Sequence, residues 1–358
     1  MRVVLIPSSV FLAAIFGGGY GSGREVAEFV SRHGPVGGLM SLAVIGVVFV
    51  ACLFLCFEIA RLCRAYEYHG FARVLLGRAG PLYETVVIVG LLLALAINAT
   101  ASGTLVAGHF GFPPATATAA FLACVVALTF FGRRVVESMM IASCALLAVA
   151  LLYLSMIVAT EHRDSVVAAF SVAGWEAAGL RAGFQVALAN CGLLPLLLFC
   201  SRGLETRREV AVAAGFAGVA GILPAVVLHL SFMTAYPRIL AFELPAYQLI
   251  GEIAPALFFH LYVGVLFVLM IQTGVAVLFG MLQSLNALSL THRSRPMSRL
   301  ERGAFAAAAL VASLLLASIG LIELVVRSYG FLFAAFLLVF YLPLLGRGVP
   351  LVFRGNAS

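Results

Sequence analysis

The chain reads as an all-α polytopic membrane protein, with about ten transmembrane helices in a five-plus-five inverted repeat whose first and sixth helices are broken. Three observations predict this. Hydrophobic residues make up 63% of the 358 positions and charged residues 10%, with a mean hydropathy of +1.12, which excludes a soluble globular domain. The apolar runs are long and lack the alternation of a membrane β-barrel. Two runs, the first and the sixth, are interrupted by helix-breaking residues at matching ordinal positions.

The expected spans are 3–31 (broken), 36–60, 83–107, 114–132, 136–159, 180–201 (broken), 209–233, 256–289, 304–322 and 328–346. The longest connections are 61–82, 160–179, 234–255 and 290–303. Span 1 carries Gly17-Gly18-Gly19-Tyr20-Gly21-Ser22-Gly23-Arg24-Glu25. So dense a glycine run cannot hold one continuous helix, because each glycine costs roughly 1 kcal/mol relative to alanine. In hydrocarbon the freed backbone groups need partners, so unwound backbone survives only when buried in protein or lining a wet cavity. The sixth span is broken by Asn190-Cys191-Gly192-Leu193-Leu194-Pro195, where Pro195 cannot donate to the helix ladder. An odd number of spans per half forces the halves into opposite orientation, giving repeats 1–160 and 161–358, the second ending in a cytoplasmic tail. The start is expected to be a retained span rather than a signal peptide, since Pro7 interrupts its core and no Ala-x-Ala-like site follows.

Arginine supplies all 22 basic residues and there is no lysine. The arginines concentrate in alternate connections: Arg61, Arg64, Arg73, Arg78, Arg133, Arg134, Arg202, Arg207, Arg208, Arg293, Arg295, Arg299 and Arg302 share one face. The positive-inside rule makes that face cytoplasmic, with both termini on it. Scattered over short loops, these charges do not suggest nucleic-acid binding. The seven cysteines have no zinc-like partners and are expected as free thiols. No enzyme is expected, because no metal cluster, nucleophile–base pair or paired aspartates lie within spans; the sole aspartate, Asp164, is in a connection. No phosphate-binding GxxxxGK[ST] motif and no repeated channel filter is present.

The breaks define the candidate site. Backbone amides around Ser22, Gly23 and Arg24 could receive a substrate carboxylate, the glycines allowing its approach, with Gly19, Tyr20 and Gly21 as further substrate-binding positions. The competing reading is that these glycines only let helices cross closely. Glu25, within a turn of the break, could bind an ammonium group or carry a proton; alternatively it belongs to a structural pair with Arg24, which also stands i,i+4 from Glu28. Asn98 and Ser102 form a polar stripe on the third span, Asn190, Cys191 and Gly192 mark the sixth, and Gln272 and Thr273 sit mid-way along the eighth. His229 and His260 are further titratable groups in spans, each more in keeping with packing. Gly215, Gly218 and Gly221 form a small-residue seam on the seventh span. The amphipathic 234–255 connection fits an extracellular lid or an ordinary surface helix.

The 17–25 motif, followed by Phe29 and the Gly34/Gly37/Gly38 turn, resembles the opening of the YkvI family of bacterial membrane proteins. The broken helices and the repeat layout resemble, more distantly, the amino acid–polyamine–organocation superfamily, which has the LeuT-like fold. This resemblance implies a secondary transporter in a bacterial inner membrane, moving a small organic solute such as an amino acid or related zwitterion or anion by alternating access. It implies no cofactor beyond a coupling ion. Sodium would be held by first-span carbonyls around Gly17 and Gly18 with Gln272 and Thr273 on the eighth span, and protons by Glu25, His229 or His260. The hydroxyl pair usual in sodium-coupled relatives is incomplete, since Gln272 and Gly274 flank Thr273. A non-transporting sensor or a channel-like protein of the same fold is the alternative. The expected partners are the solute and the lipid bilayer; the oligomeric state is left open.

Overall fold

A computed structural model describes residues 7–8, 10–11, 14–15, 18–131, 133–171 and 177–354. Among them there is no β-strand, and every expected span has a helical counterpart, the first described only in part. The helices are α1 (Gly18–Ser22), α2 (Arg24–Phe29), α3 (Gly34–Cys63), α4 (Tyr68–Leu76), α5 (Gly80–Phe110), α6 (Pro114–Phe131), α7 (Arg133–Glu161) and α8 (Arg163–Ser171). They continue as α9 (Ala178–Cys191), α10 (Arg207–Phe232), α11 (Pro245–Ile253), α12 (Ala256–Arg293), α13 (Arg299–Ala317), α14 (Leu321–Phe336) and α15 (Val349–Arg354). Six described helices are long and apolar enough to cross a membrane, and two bent pairs raise the number to eight.

Local chemistry sets the helix ends. Pro35 and Pro81 occupy the first turns of α3 and α5, where the missing N–H has no intrahelical acceptor anyway. Thr206 with Glu209, and Ser298 with Glu301, close reciprocal capping boxes at α10 and α13. Both sit on the arginine-rich face.

The helices pack as two groups. In the first, α3 lies against α9 and α10; in the second, α5 lies against α6, α12 and α13. Helix α14 joins them by touching both α5 and α9. Membrane helices gain little from hydrophobic association in lipid, so small residues that admit close backbone contact decide where they cross. A methyl group on Gly179 would fall 2.4 Å from the Gly37 carbonyl oxygen, and one on Gly183 would fall 2.5 Å from that of Ser41. These two pairs, four residues apart on each helix, fix the α3–α9 crossing. Gly218 meets Val50 in the same way at α10, and Gly221 meets Phe11. Gly215 meets nothing within 4 Å, so the seam expected on this helix is two glycines long.

Two connections for which no helix is expected, 61–82 and 160–179, contain α4 and α8, and the helix expected in 234–255 is α11. The boundary between the last two spans is also displaced. The sequence pattern puts Glu323 and Arg327 between spans, but they form an i,i+4 ion pair inside α14. The turn lies earlier, at Gly320, whose φ of 90° favours a residue without a side chain. The apolar run from Leu321 outweighs two charges that satisfy each other. Beyond α14 the helix continues through π-helical turns at Leu337–Tyr341 and Leu344–Gly348 into α15.

Candidate functional site

The first break falls between α1 and α2 at Gly23, in the left-handed region with φ 77°. Its amide donates to the Tyr20 carbonyl (3.0 Å), and the Arg24 amide donates to Ser22 Oγ (3.3 Å). The Gly21 carbonyl accepts from the Tyr262 hydroxyl at 2.6 Å. A methyl group on Gly23 would fall 2.6 Å from the Phe232 ring and 3.0 Å from Ala246 on α11. The glycine therefore serves close packing at this point, and the Gly23 and Arg24 amides expected to receive a carboxylate already have partners.

The second break bends α9 by 62° into a 3-10 turn at Leu194–Ser201, with Pro195 in its first turn. Carbonyls at this break are also met by tyrosines. The Tyr83 hydroxyl donates to the Gly192 carbonyl and the Tyr341 hydroxyl to that of Leu188, each at 2.7 Å. A methyl group on Gly192 would lie 2.3 Å from the Phe336 ring, so this glycine too admits a neighbour.

Between the two helix groups lies a cavity of about 930 Å³. Helix α12 lines it from Leu269 to Leu290, and α5 from Gly90 to Asn98. At 1.5 Å rise per residue the α12 stretch is roughly 30 Å long. The outer ends of both helices, 99–110 on α5 and 256–268 on α12, contribute nothing to the described lining. The cavity thus runs from the middle of the molecule to the arginine-rich face, where Tyr68, His69, Phe199, Asn286 and Leu290 stand at its mouth. His69 Nδ1 pairs there with Glu84 at 2.9 Å.

Of the expected site residues, Glu25, Asn98, Asn190, Gln272 and Thr273 line this cavity. The breaks bring them to its deep end. Tyr20, Gly21, Ser22, Gly23, Ser102, Cys191 and Gly192 are not among the lining residues: Tyr20, Ser22, Ser102 and Cys191 are buried, Gly21 meets Leu266 of α12, Gly23 meets Phe232 and Ala246, and Gly192 meets Phe336 of α14. Gly18 and Gly19 lie in α1, and Gly17 lies outside the described residues. Asn98 Nδ2 donates to the Met270 carbonyl, Asn190 Nδ2 to that of Val186 (3.0 Å) and Thr273 Oγ1 to that of Leu269 (2.9 Å). Tyr329, which no motif or spacing singles out, lines the cavity with its hydroxyl within hydrogen-bonding reach of Glu25 and Asn190. Its only sequence signal is a hydroxyl one residue inside an expected span.

The opposite face is closed. Arg24 is 2% exposed, and its guanidinium donates to the Leu240 carbonyl (3.0 Å), the Phe242 carbonyl (2.9 Å) and Glu28 (2.8 Å). Glu28 also pairs with Arg32. Thr104 donates to Glu243 at 2.8 Å, tying α5 to the same connection. Leu249 and Ile250 of α11 are buried, so this connection packs inward as a cover. At its rim, the Arg238 guanidinium hydrogen-bonds to Glu252 and holds that carboxyl below its ordinary value.

The two histidines take structural places. His229 is enclosed between Ser31 Oγ (2.9 Å) and the Pro35 carbonyl (3.0 Å), above Gly38, and does not line the cavity. His260 meets His109 at 3.3 Å on the outer face.

No family profile matches the sequence, and no curated protein sequence does. Solved structures do match. MhsT in complex with L-phenylalanine aligns with a TM-score of 0.59 at 15% identity, covering 90% of this chain and 80% of that one. A point mutant of the manganese transporter of Eremococcus coleocola aligns at 0.54 and 12% identity, covering 92% and 73%. A Na+-coupled sialic acid symporter in a substrate-bound outward-open state aligns at 0.51 and 13%, covering 95% and 86%. The chain is an all-α polytopic membrane protein of the LeuT-like fold.

Proposed function

We propose that this protein is a secondary active transporter that moves a small organic solute by alternating access, with the cavity turned towards the cytoplasm in this structure. The observation that carries the reading is one-sidedness. A cavity lined by both helix groups reaches the middle of the molecule from the arginine-rich face and ends beneath a cover held by Arg24. A channel would need a continuous path, and an enzyme a reactive constellation. The transporters of similar fold support the same reading, and the resemblance of the 17–25 motif to the YkvI family agrees with it. The positive-inside rule makes the open face cytoplasmic, in a bacterial inner membrane. The two sequence halves, 1–160 and 161–358, form the inverted repeats, each contributing one break.

Coupling is to sodium or protons. Sodium would sit between the first span and Thr273; a proton would sit on Glu25, the carboxylate of the cavity's deep end. Purified protein in proteoliposomes, given a panel of labelled amino acids and amines under an imposed sodium or proton gradient, tests the proposal. Accumulation above equilibrium under one gradient supports transport and names the ion. Specific binding without flux under either gradient would instead indicate a sensor of the same fold.

A further inference from the structure

The deep end of the cavity sets one carboxylate, Glu25, among the amides of Asn98, Asn190 and Gln272 and the Tyr329 hydroxyl. Among the described lining residues Glu25 is the one carboxylate, and no arginine belongs to the lining. Its neighbour Arg24 faces the other way, occupied by Leu240, Phe242 and Glu28. Glu28 therefore carries the ion pairs of this segment, and Glu25 is left without a cation among the described residues.

The two asparagines add to the same pattern. The Met270 carbonyl can only accept, so it fixes Asn98 with its amide nitrogen outward and Oδ1 as the remaining acceptor. That oxygen is buried, without a partner, in a side chain only 2% exposed. Asn190 likewise has its amide nitrogen engaged, donating to the Val186 carbonyl. Gln272 supplies an amide that can serve either way. The surrounding wall is apolar, with Leu91, Ile97, Leu193, Leu269, Val275 and Leu332.

A buried carboxylate without a counter-charge is costly, by several kcal/mol, so this arrangement gains most from a guest that brings the positive charge. An ammonium head has three N–H donors and no acceptor, the complement of Glu25 and Asn98 Oδ1. A guest carboxylate would be repelled by the like charge of Glu25, and the nearby Gly23 and Arg24 amides are already engaged. We propose that the cavity selects a small organic ammonium cation, its head on Glu25 and Asn98 and its hydrocarbon body against the apolar wall, and discriminates against a carboxylate on the same molecule. A bare monovalent ion shares the charge but leaves the apolar wall unused. The selectivity concerns binding alone; only the translocation of the bound cation rests on the transport reading.

Three probes of one skeleton test it: 2-phenylethylamine, phenylalanine and 3-phenylpropionate, titrated into the purified protein in sodium and in potassium chloride. The amine is expected to bind in both salts, the acid not at all, and phenylalanine about tenfold or more weaker than the amine. Glu25→Gln should weaken the amine by about tenfold or more, as loss of a charge-assisted contact does. Equal or tighter binding of phenylalanine or the acid, no binding of any probe, or a response to sodium alone would overturn the proposal. If Glu25→Gln does not fold, the ranking of the three probes on the native chain decides. Amine binding without flux in proteoliposomes would overturn transport and leave this selectivity; amino-acid flux without amine binding would do the reverse.

Discussion

The outer and inner halves of this molecule are made from the same helices, yet one is sealed and the other hollow. On the outer side α2, α5 and α11 meet through Arg24 on two carbonyls, Thr104 on Glu243, and a glycine that admits Phe232 and Ala246. On the inner side α5, α12 and the turn after α9 stand apart around about 930 Å³. The seal is made of directional polar contacts between elements, whereas the wall of the hollow is mainly apolar. A polar seal can exchange its partners for water when it opens, and an apolar wall can receive a guest of varied shape. The difference is the physical requirement of a site that opens on one side at a time.

The largest effect is expected where the seal depends on a missing side chain. Gly23→Val places a branched residue at φ 77° and into Phe232, and should destabilise the protein by about 3 kcal/mol, read as thermal unfolding in detergent. A native-like unfolding temperature would show that the seal is not packed as described. Next come the tyrosines that satisfy the breaks. Tyr262→Phe on the outer side and Tyr83→Phe on the inner side each leave a buried carbonyl without a donor, a loss of about 1–3 kcal/mol. Both side chains are fully buried, so the two losses should be similar; a much smaller loss at either would show that water reaches that break.

A smaller effect is expected from Thr104→Val, which removes one hydrogen bond to Glu243 and should cost roughly 1 kcal/mol of stability. Amide exchange in the 238–253 segment should rise while that of α12 is unchanged. The smallest effect concerns pH. The Glu252 carboxyl is held below its ordinary value by Arg238, so the pair contributes stability above the unfolded carboxylate pKa, and this is lost as pH falls through the lower folded value. Acidification should therefore loosen the rim of the outer cover, read as faster amide exchange in the 245–253 segment. Because the pair is largely exposed, Arg238→Gln should remove this pH dependence with little change in unfolding at neutral pH.

Much of this contrast is legible in the sequence, and its limits have physical causes. Both breaks are visible because glycine and proline act locally: Gly23 and the Gly192–Pro195 stretch interrupt helices whatever surrounds them. Glu25, Asn98, Asn190, Gln272 and Thr273 stand out as polar groups in apolar runs, and all five line the cavity. The direction a side chain faces is a tertiary property, however. Ser102 is one turn from Asn98 but wholly buried away from the cavity, and the Gly23 and Arg24 amides are consumed by the turn itself. The tyrosine hydroxyls that satisfy the breaks come from residues far away in sequence, such as Tyr262 for Gly21 and Tyr83 for Gly192. Nothing local marks them. The ion pair of Glu323 and Arg327 misleads the last boundary because paired charges are tolerated where single ones signal a loop.

The most direct measurement is two-sided thiol labelling at the cavity wall. Ala94→Cys, with exposed native thiols such as Cys124 replaced by serine, is reconstituted in one orientation and treated with a membrane-impermeant reagent from each side. Reaction is expected from the arginine-rich side alone, with a gain of reaction from the opposite side, at the expense of the first, when Arg24→Gln removes the outer seal. Labelling from both sides at once in the native background, or no change of side with Arg24→Gln, would contradict a cavity that opens on one side beneath an Arg24-held cover.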